Sequence, residues 1–319
     1  MFKKFNWILL AILLATLLMH TKAPALDKRA SSAITHYILG VMYEDLGDID
    51  AAIEEYKKVS KSDPESSLVP LNLASSYIKK NDIPKAIEEL NRAVKFDPGA
   101  VEPHAILALV YYSLDKSDMA EAEYETALKN ASALQPENIN VYKGLGLMYI
   151  KQKKLKDAEK AYKLILGLAP DDAEAHFYLG DVYFESKQSR LAEKELKRAI
   201  ELKPDYHEAL NFLGYIYADE NRNLGQAEAL IRKALELEPD SGAYLDSLGW
   251  LYYKKGKFQQ AVNELEKASV LEEDPTIYDH LGDAYLKIND PEKAKLNWQK
   301  SLILDENQES VKKKLEKIK

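Results

Sequence analysis

The chain has 319 residues, 30% of them charged, and its formal net charge is −8 at pH 7. This acidic balance argues against a nucleic-acid partner, because phosphate binding requires a positively charged surface. The chain contains no cysteine, which excludes disulfides, thiol catalysis, thiolate metal sites and acylation of an amino-terminal cysteine.

The first 25 residues have the pattern of a secretory signal peptide. Lys3 and Lys4 precede an uncharged run from Trp7 to Met19, and Ala23-Pro24-Ala25 has the small-x-small form of a cleavage site. The run has 13 residues, whereas a helix needs roughly 20 to span a bilayer. We therefore expect an exported protein, periplasmic or secreted, with an uncleaved amino-terminal membrane anchor as the alternative.

The rest of the sequence repeats with a spacing of 33 to 38 residues. Each period holds a small residue and, three places later, a tyrosine: Gly40/Tyr43, Ala74/Tyr77, Ala108/Tyr111, Gly146/Tyr149, Gly180/Tyr183, Gly214/Tyr217, Gly249/Tyr252 and Gly282/Tyr285. An alanine follows the small residue by about twelve places, a bulky apolar residue comes four places after it, and a proline closes most periods. A fixed period in this range indicates a stacked array of repeats.

Each period is predicted to fold as two helices. Apolar residues recur at three- and four-residue steps on both sides of a short polar turn such as Leu46-Gly47-Asp48. The small residue lets the two helix backbones approach, and we expect the alanine of the second helix to meet it, with the tyrosine and the bulky residue on either side. The closing proline ends the second helix, because it lacks an amide hydrogen.

Two segments depart from the regular pattern. The third period carries four extra residues around Asn130-Ala131-Ser132-Ala133, which we expect to lengthen its second helix or the loop that follows. At the end of the chain, Val311, Leu315 and Ile318 recur at helical spacing in a lysine-rich segment. They predict a helix that caps the last hydrophobic face, with a membrane-surface helix as the alternative.

The repeated pattern resembles the tetratricopeptide repeat over residues 33 to 308. This resemblance implies an all-α, right-handed superhelical solenoid of about eight helix-turn-helix repeats with a C-terminal capping helix. The expected order is a signal peptide or anchor, a short linker, eight repeats and the cap. The signal peptide or anchor spans residues 1–25, the linker 26–32 and the cap 309–319. The eight repeats span 33–66, 67–100, 101–138, 139–172, 173–206, 207–241, 242–274 and 275–308.

No arrangement of residues in the sequence indicates catalysis. His36, His104 and His176 share one repeat position, where other repeats carry proline, tyrosine or leucine, so we interpret them as packing residues. The sequence has no phosphate loop, no dinucleotide-binding glycine motif and no His-x-x-Glu-His metal motif. We therefore predict a protein that is not an enzyme and that has no catalytic residues, cofactor, metal site or small-molecule substrate.

The resemblance implies that the first helix of each repeat lines a concave groove, which binds an extended peptide or a partner helix. By analogy, two positions of each first helix point into this groove, three places before the small residue and one place after it. From the fifth repeat onward these residues are Phe177, Asp181, Asn211, Tyr215, Asp246, Trp250, Asp279 and Asp283. Their acidic and aromatic character favours partner proteins with basic and apolar side chains.

Two other interpretations of the surface stay open. In the first, the aromatic residues of the groove pack between repeats and the aspartates only add solvated charge. The equivalent positions of the first three repeats are apolar and nearly uncharged, as at Val41 and Leu109, and they would suit a partner helix or another copy of the chain.

The sequence thus predicts a protein-interaction scaffold of the cell envelope, whose groove binds segments of partner proteins. One alternative is an accessory or regulatory subunit that docks an envelope enzyme or a secretion or assembly machine. Another is a glycan-binding protein. A membrane would be contacted only through an uncleaved leader, and the sequence makes no prediction of oligomeric state.

Overall fold

The computed structural model describes residues 28–62 and 68–318, which form seventeen α-helices. No β-strand occurs within these two ranges. The predicted all-α repeat fold is confirmed. Residues 1–25, the predicted signal peptide or anchor, lie outside the described residues. The chain divides into two compact units, residues 1–136 and 137–319.

The first unit contains three helix pairs. Its helices are α1 (Lys28–Asp45), α2 (Ile49–Ser62), α3 (Leu68–Lys79), α4 (Ile83–Phe96), α5 (Glu102–Ser113) and α6 (Ser117–Leu134). The two helices of each pair pack together, and α2 also packs against α3, as α4 does against α5. Residues 28–32, which we expected to belong to a linker, lie in α1, because neither glycine nor proline interrupts the helix there.

The second unit contains five helix pairs and a terminal helix. The pairs are α7 (Ile139–Lys151) and α8 (Leu155–Leu168), α9 (Ala173–Glu185) and α10 (Ser189–Leu202), α11 (His207–Asp219) and α12 (Leu224–Leu237), α13 (Gly242–Lys254) and α14 (Phe258–Leu271), and α15 (Pro275–Lys287) and α16 (Pro291–Leu304). The chain ends in α17 (Glu309–Lys317). One apolar core runs through this unit from Ala158 to Val311.

Each pair turns at a residue with left-handed backbone geometry, seven places after the small residue. These residues are Gly47, Asn81, Asp115, Lys153, Lys187, Asn221, Gly256 and Asn289, with φ between 53° and 80°. The amide of the next residue donates to the carbonyl of the repeat tyrosine, as from Asp48 N to Tyr43 O and from Lys257 N to Tyr252 O, both 2.9 Å. This hydrogen bond ends the first helix. The tyrosine carbonyl therefore stabilises the turn, while the tyrosine side chain packs in the core.

The small residue lies beneath the bulky residue of the second helix. A Cβ atom built on Gly180 would lie 2.9 Å from Leu196 Cγ and 3.4 Å from the Ala192 carbonyl oxygen. A Cβ atom on Gly282 would lie 2.5 Å from Trp298 Cδ1. The alanine meets the small residue through its carbonyl group, as expected, while the longer side chain covers the gap between the two helices.

The four extra residues of the third repeat lengthen its second helix. Helix α6 has 18 residues, whereas the second helices of the other seven pairs each have 14. Within the added turn, Asn130 Nδ2 donates to the carbonyl oxygens of Pro98 (2.9 Å) and Ala100 (3.1 Å). This amide therefore ties the longer helix to the loop that precedes α5.

The terminal helix α17 covers the end of the second unit. Val311 is fully buried, and Leu315 and Ile318 are partly buried against the apolar core. The apolar stripe that the sequence shows at this end is therefore used in packing within the unit. None of the helices in the described ranges is both long and apolar enough to cross a membrane.

Candidate functional site

The eight predicted groove residues lie on four consecutive first helices of the second unit. Helix α9 carries Phe177 and Asp181, α11 carries Asn211 and Tyr215, α13 carries Asp246 and Trp250, and α15 carries Asp279 and Asp283. Helix α11 packs against α13, and α13 against α15. Asp246 is buried and the other seven side chains are half-buried. We call the surface formed by these eight residues the groove face.

Aromatic rings join the first two helices of the groove face. The Phe177 ring lies 5.2 Å from the Tyr206 ring and 6.2 Å from the Phe212 ring, between centroids. Phe184 continues the cluster, 5.3 Å from Phe212 and 6.3 Å from Tyr215. Phe177 thus packs between repeats, as the alternative interpretation expects of the aromatic residues.

Two polar side chains of the groove face have no hydrogen bond within the described ranges. Asn211 Oδ1 is buried and unpaired. The Tyr215 hydroxyl also lacks a protein partner there, and burial raises its pKa, with Asp219 and Asp246 adding to the effect. Both groups keep unused hydrogen-bonding capacity.

Asp181 is a half-buried carboxylate without a close cation. Its side-chain carboxylate forms no hydrogen bond or ion pair with the residues that the structure describes. Burial raises its pKa, Glu185 adds to the rise, and Lys153 opposes it. This carboxylate therefore gains from any cation that approaches the groove face.

Asp246 pairs with a histidine of the next first helix. His280 Nδ1 lies 2.9 Å from Asp246 Oδ1 and 3.1 Å from Oδ2. The Trp250 ring stacks on His280, with centroids 4.0 Å apart and planes 11° apart, and it also stacks with Tyr253 at 4.9 Å. Burial opposes protonation of His280, but Asp246 and the two nearby aspartates of α15 outweigh it, so the pKa of His280 is raised.

Two lysines beside the groove face, Lys254 and Lys314, were missed by the sequence reasoning. Lys254 Nζ donates to the Asp219 carbonyl oxygen at 2.8 Å and lies 4.6 Å from the centroid of the Trp250 ring. Trp250 Nε1 donates to Asp219 Oδ1 at 3.2 Å. Lys314 reaches the other end of the face from the terminal helix. The face is therefore less acidic than its eight predicted residues indicate.

Lys314 binds both aspartates of α15. Its Nζ atom lies 2.6 Å from Asp279 Oδ1 and 2.8 Å from Asp283 Oδ1. Trp298 Nε1 donates to the Asp279 carbonyl oxygen and to Asp283 Oδ1, both at 3.2 Å. Burial raises the pKa of Asp283, and Lys314 opposes this rise. These two carboxylates are thus paired within the chain, whereas Asp181 is not.

A repeated histidine–glutamate contact was also missed. The three histidines that we interpreted as packing residues each place Nδ1 within 2.6 Å of a glutamate on the second helix of the same pair. The pairs are His36–Glu55, His104–Glu123 and His176–Glu195. The sequence carried the signal, because a glutamate follows each of these histidines by nineteen places. No group of three or more His, Asp and Glu side chains within the described ranges is placed to hold a metal ion.

Comparison with known families agrees with this fold. A family model for the C-terminal domain of cilia and flagella-associated protein 70, a tetratricopeptide repeat domain, matches residues 12–243. The chain belongs to this tetratricopeptide repeat family. A second tetratricopeptide repeat model matches residues 217–276. No curated protein matches the chain.

Several solved structures share the tetratricopeptide repeat fold. The Cut9–Hcn1 hetero-tetramer of APC/C has a TM-score of 0.59 at 18% identity, over 92% of this chain and 56% of that chain. The type IV pilus biogenesis factor PilW has a TM-score of 0.54 at 16% identity, over 67% and 98%. Yeast Tom70 has a TM-score of 0.50 at 20% identity, over 93% and 65%. At these identities the likeness shows the fold alone, and the chain spans little more than half of the Cut9–Hcn1 chain.

Proposed function

We propose that this tetratricopeptide repeat protein is a non-enzymatic scaffold that binds segments of partner proteins on its groove face. The observation that carries the proposal is Asn211 Oδ1, which is buried without a hydrogen-bond partner among the described residues. A buried polar atom without a partner costs free energy that a bound segment would recover. A fold used only for packing would gain from an apolar side chain at this position.

The chemistry of the groove face indicates which segments it would bind. The unpaired carboxylate of Asp181 lies on the same helix as Phe177 and Phe184, two rings of the aromatic cluster. Carboxylates bind lysine and arginine through charge-assisted hydrogen bonds, and aromatic rings bind both apolar side chains and cations. A partner segment with basic and apolar side chains therefore fits this face.

The proposed place of action is the cell envelope. Support comes from the sequence of residues 1–25, which has the charge, the apolar run and the small-x-small site of an export signal. Export to the periplasm or the medium is the main proposal, and an uncleaved leader that anchors the protein in a membrane is its alternative. In either case the repeats would act outside the cytoplasm.

Site-specific photocrosslinking tests the proposed surface. A photoreactive amino acid would be placed at three positions in turn. Ala243 lies beside the groove face, Leu109 is an apolar groove-equivalent position of the first unit, and Gln260 lies on a second helix. We expect protein partners to be crosslinked from Ala243 and to be lost when Tyr215→Ala and Trp250→Ala are added. Circular dichroism should show that the combined variant keeps its helical content.

Three other crosslinking results would contradict or change the proposal. Crosslinks from Leu109 that survive the groove substitutions would assign binding to the first unit and overturn the proposal. Equal crosslinks from Gln260 would indicate contact without a preferred face. Recovery of a single enzyme in a stable one-to-one complex would favour an accessory subunit over a general scaffold.

A further inference from the structure

We infer that a cavity on the groove face holds one lysine or arginine side chain of the partner segment. The cavity has a volume of about 250 Å³ and lies between α11, α13 and the start of α15. This inference rests on the proposed function, because it assumes that the partner lies along the groove face. It adds the place and the chemistry of one specific contact.

The charge of the cavity wall is negative. Asp246, Glu272 and Asp274 line the cavity, and no lysine or arginine is among the lining residues. Asp246 faces the buried His280, and Asp274 Oδ1 accepts from the Thr276 amide at 2.7 Å, which caps α15. The side chain of Glu272, unlike its backbone amide, has no hydrogen bond or ion pair with any described residue. It is therefore the carboxylate with free capacity to bind a cation.

The unpaired Asn211 oxygen in the wall favours a ligand that donates hydrogen bonds. Asn211 Oδ1 accepts hydrogen bonds and is buried without a partner within the described ranges. The Tyr215 hydroxyl, which also lines the cavity, can accept a hydrogen bond from such a ligand as well. A lysine ammonium offers three donors, an arginine guanidinium offers five, and neither group has an acceptor. An anionic side chain would meet the carboxylates of Glu272 and Asp274, and an apolar one would leave the Asn211 oxygen unsatisfied. A basic side chain meets both requirements.

The remaining wall suits the aliphatic part of such a side chain. Phe212, Ala243 and Ile277 line the cavity with apolar surface, against which the methylene groups of lysine or arginine would pack. Gly242 allows Glu272 to lie close to the wall, since a Cβ atom on this glycine would lie 2.6 Å from Glu272 Cβ. The cavity therefore combines apolar sides with a free carboxylate at its edge.

Nuclear magnetic resonance titration of the purified protein with small probes tests the cavity. The probes are Nα-acetyl-lysine methylamide and Nα-acetyl-arginine methylamide, with Nα-acetyl-norleucine methylamide as a control that has a similar stem and no charge. We expect saturable shifts of the Asn211 side-chain amide and the Ser247 backbone amide with the two cationic probes. The norleucine probe should bind at least several-fold more weakly.

Two variants and one matched control make the test specific. Glu272→Gln should weaken binding of the cationic probes by about twofold to fivefold, the range for a solvent-accessible ion pair. Glu273→Gln makes the same charge change outside the cavity lining and should leave binding unchanged. Ala243→Leu should abolish binding, because the exposed Ala243 lies at the cavity wall and a larger side chain fills the space.

The result separates this inference from the proposed function. Equal binding of the norleucine probe, or no saturable shift with either cationic probe, overturns the inference. If partners are still crosslinked from Ala243 in that case, the groove face binds proteins by other contacts. Cationic probes that bind while no partner is crosslinked would support the cavity and count against the scaffold function.

Discussion

His280 and Asp246 form a buried charged pair between two neighbouring repeats, with 2.9 Å between Nδ1 and Oδ1. Both side chains are less than a tenth exposed. The carboxylate of Asp246 raises the pKa of His280 against the effect of burial, so the folded protein binds the imidazole proton more tightly than the unfolded chain does. The pair therefore links α13 to α15 by charge as well as by packing.

The stability contributed by this pair should depend on pH. A histidine whose pKa is raised on folding stabilises the protein fully below its unfolded pKa of about 6.5. This contribution is lost as the pH rises through the higher folded pKa. The free energy of urea unfolding should be higher for wild type than for His280→Gln. This difference should be large near pH 6 and should shrink at alkaline pH. A difference that is independent of pH would mean that the folded histidine is neutral.

Removal of the Asp246 carboxylate should lower the free energy of unfolding more than removal of the His280 imidazole. Asp246→Asn leaves a buried imidazolium without its counter-ion, and loss of one partner of a buried ion pair typically costs about 3–5 kcal/mol. The loss in unfolding free energy should be measured at pH 6, where His280 is protonated in wild type. Asp240→Asn, at a nearby exposed position, is the control and should change stability little.

Glu193 should control stability in acid. Its carboxylate accepts from Lys197 Nζ at 2.6 Å and from the Tyr217 hydroxyl at 2.8 Å, and it lies 2.9 Å from Arg222 Nη1. Burial opposes ionisation, but these donors outweigh it and lower the pKa of Glu193 to about 2. Its contribution is therefore present above about pH 4.5 and is lost as the pH falls towards 2.

Glu193→Gln tests this contribution by urea unfolding. We expect it to cost about 1.5 kcal/mol at pH 7, the scale of a charge-assisted hydrogen bond, and progressively less below pH 4.5. Glu236→Gln, at an exposed position of α12, provides the matched control. Equal effects of the two substitutions at pH 7 would show that the three donors contribute nothing specific.

Two helical glycines should respond to alanine in opposite directions. Gly282→Ala would place a Cβ atom 2.5 Å from Trp298 Cδ1, and such overpacking typically costs about 1–3 kcal/mol. Gly167 has no neighbour within 4 Å of a built Cβ atom, so Gly167→Ala should stabilise α8 by about 0.5–1 kcal/mol. Thermal unfolding of both variants checks the sign. A stabilising Gly282→Ala would show that Trp298 can move at little cost.

The turn between α9 and α10 offers a stabilising substitution. Lys187 has a left-handed backbone with φ of 62°, a geometry that glycine adopts without strain and that costs other residues about 1–2 kcal/mol. Lys187→Gly should therefore raise the free energy of unfolding by about 1 kcal/mol. Lys187→Ala controls for loss of the lysine side chain and should give no such gain.

The helix pairs were predictable because their signals are local. The turn after Tyr43 depends on residues within one period, and so does the contact of Gly282 with Trp298. The Asp246–His280 pair was not predictable, because the two residues lie 34 places apart and in different registers relative to their small residues. Their meeting depends on how one repeat rotates against the next, which the side-chain pattern of a single period does not encode.

The contacts of Lys314 also join one repeat to the next element of the chain, and they affect what can stack on that end of the second unit. This lysine lies on the last helix of the chain and neutralises two aspartates of the last repeat. Any further helix pair stacked on this end, from another copy or another protein, would have to displace Val311 from the core and Lys314 from its two carboxylates. Helix α17 therefore competes with any such stacking for the apolar surface around Val311 and for the two carboxylates of α15.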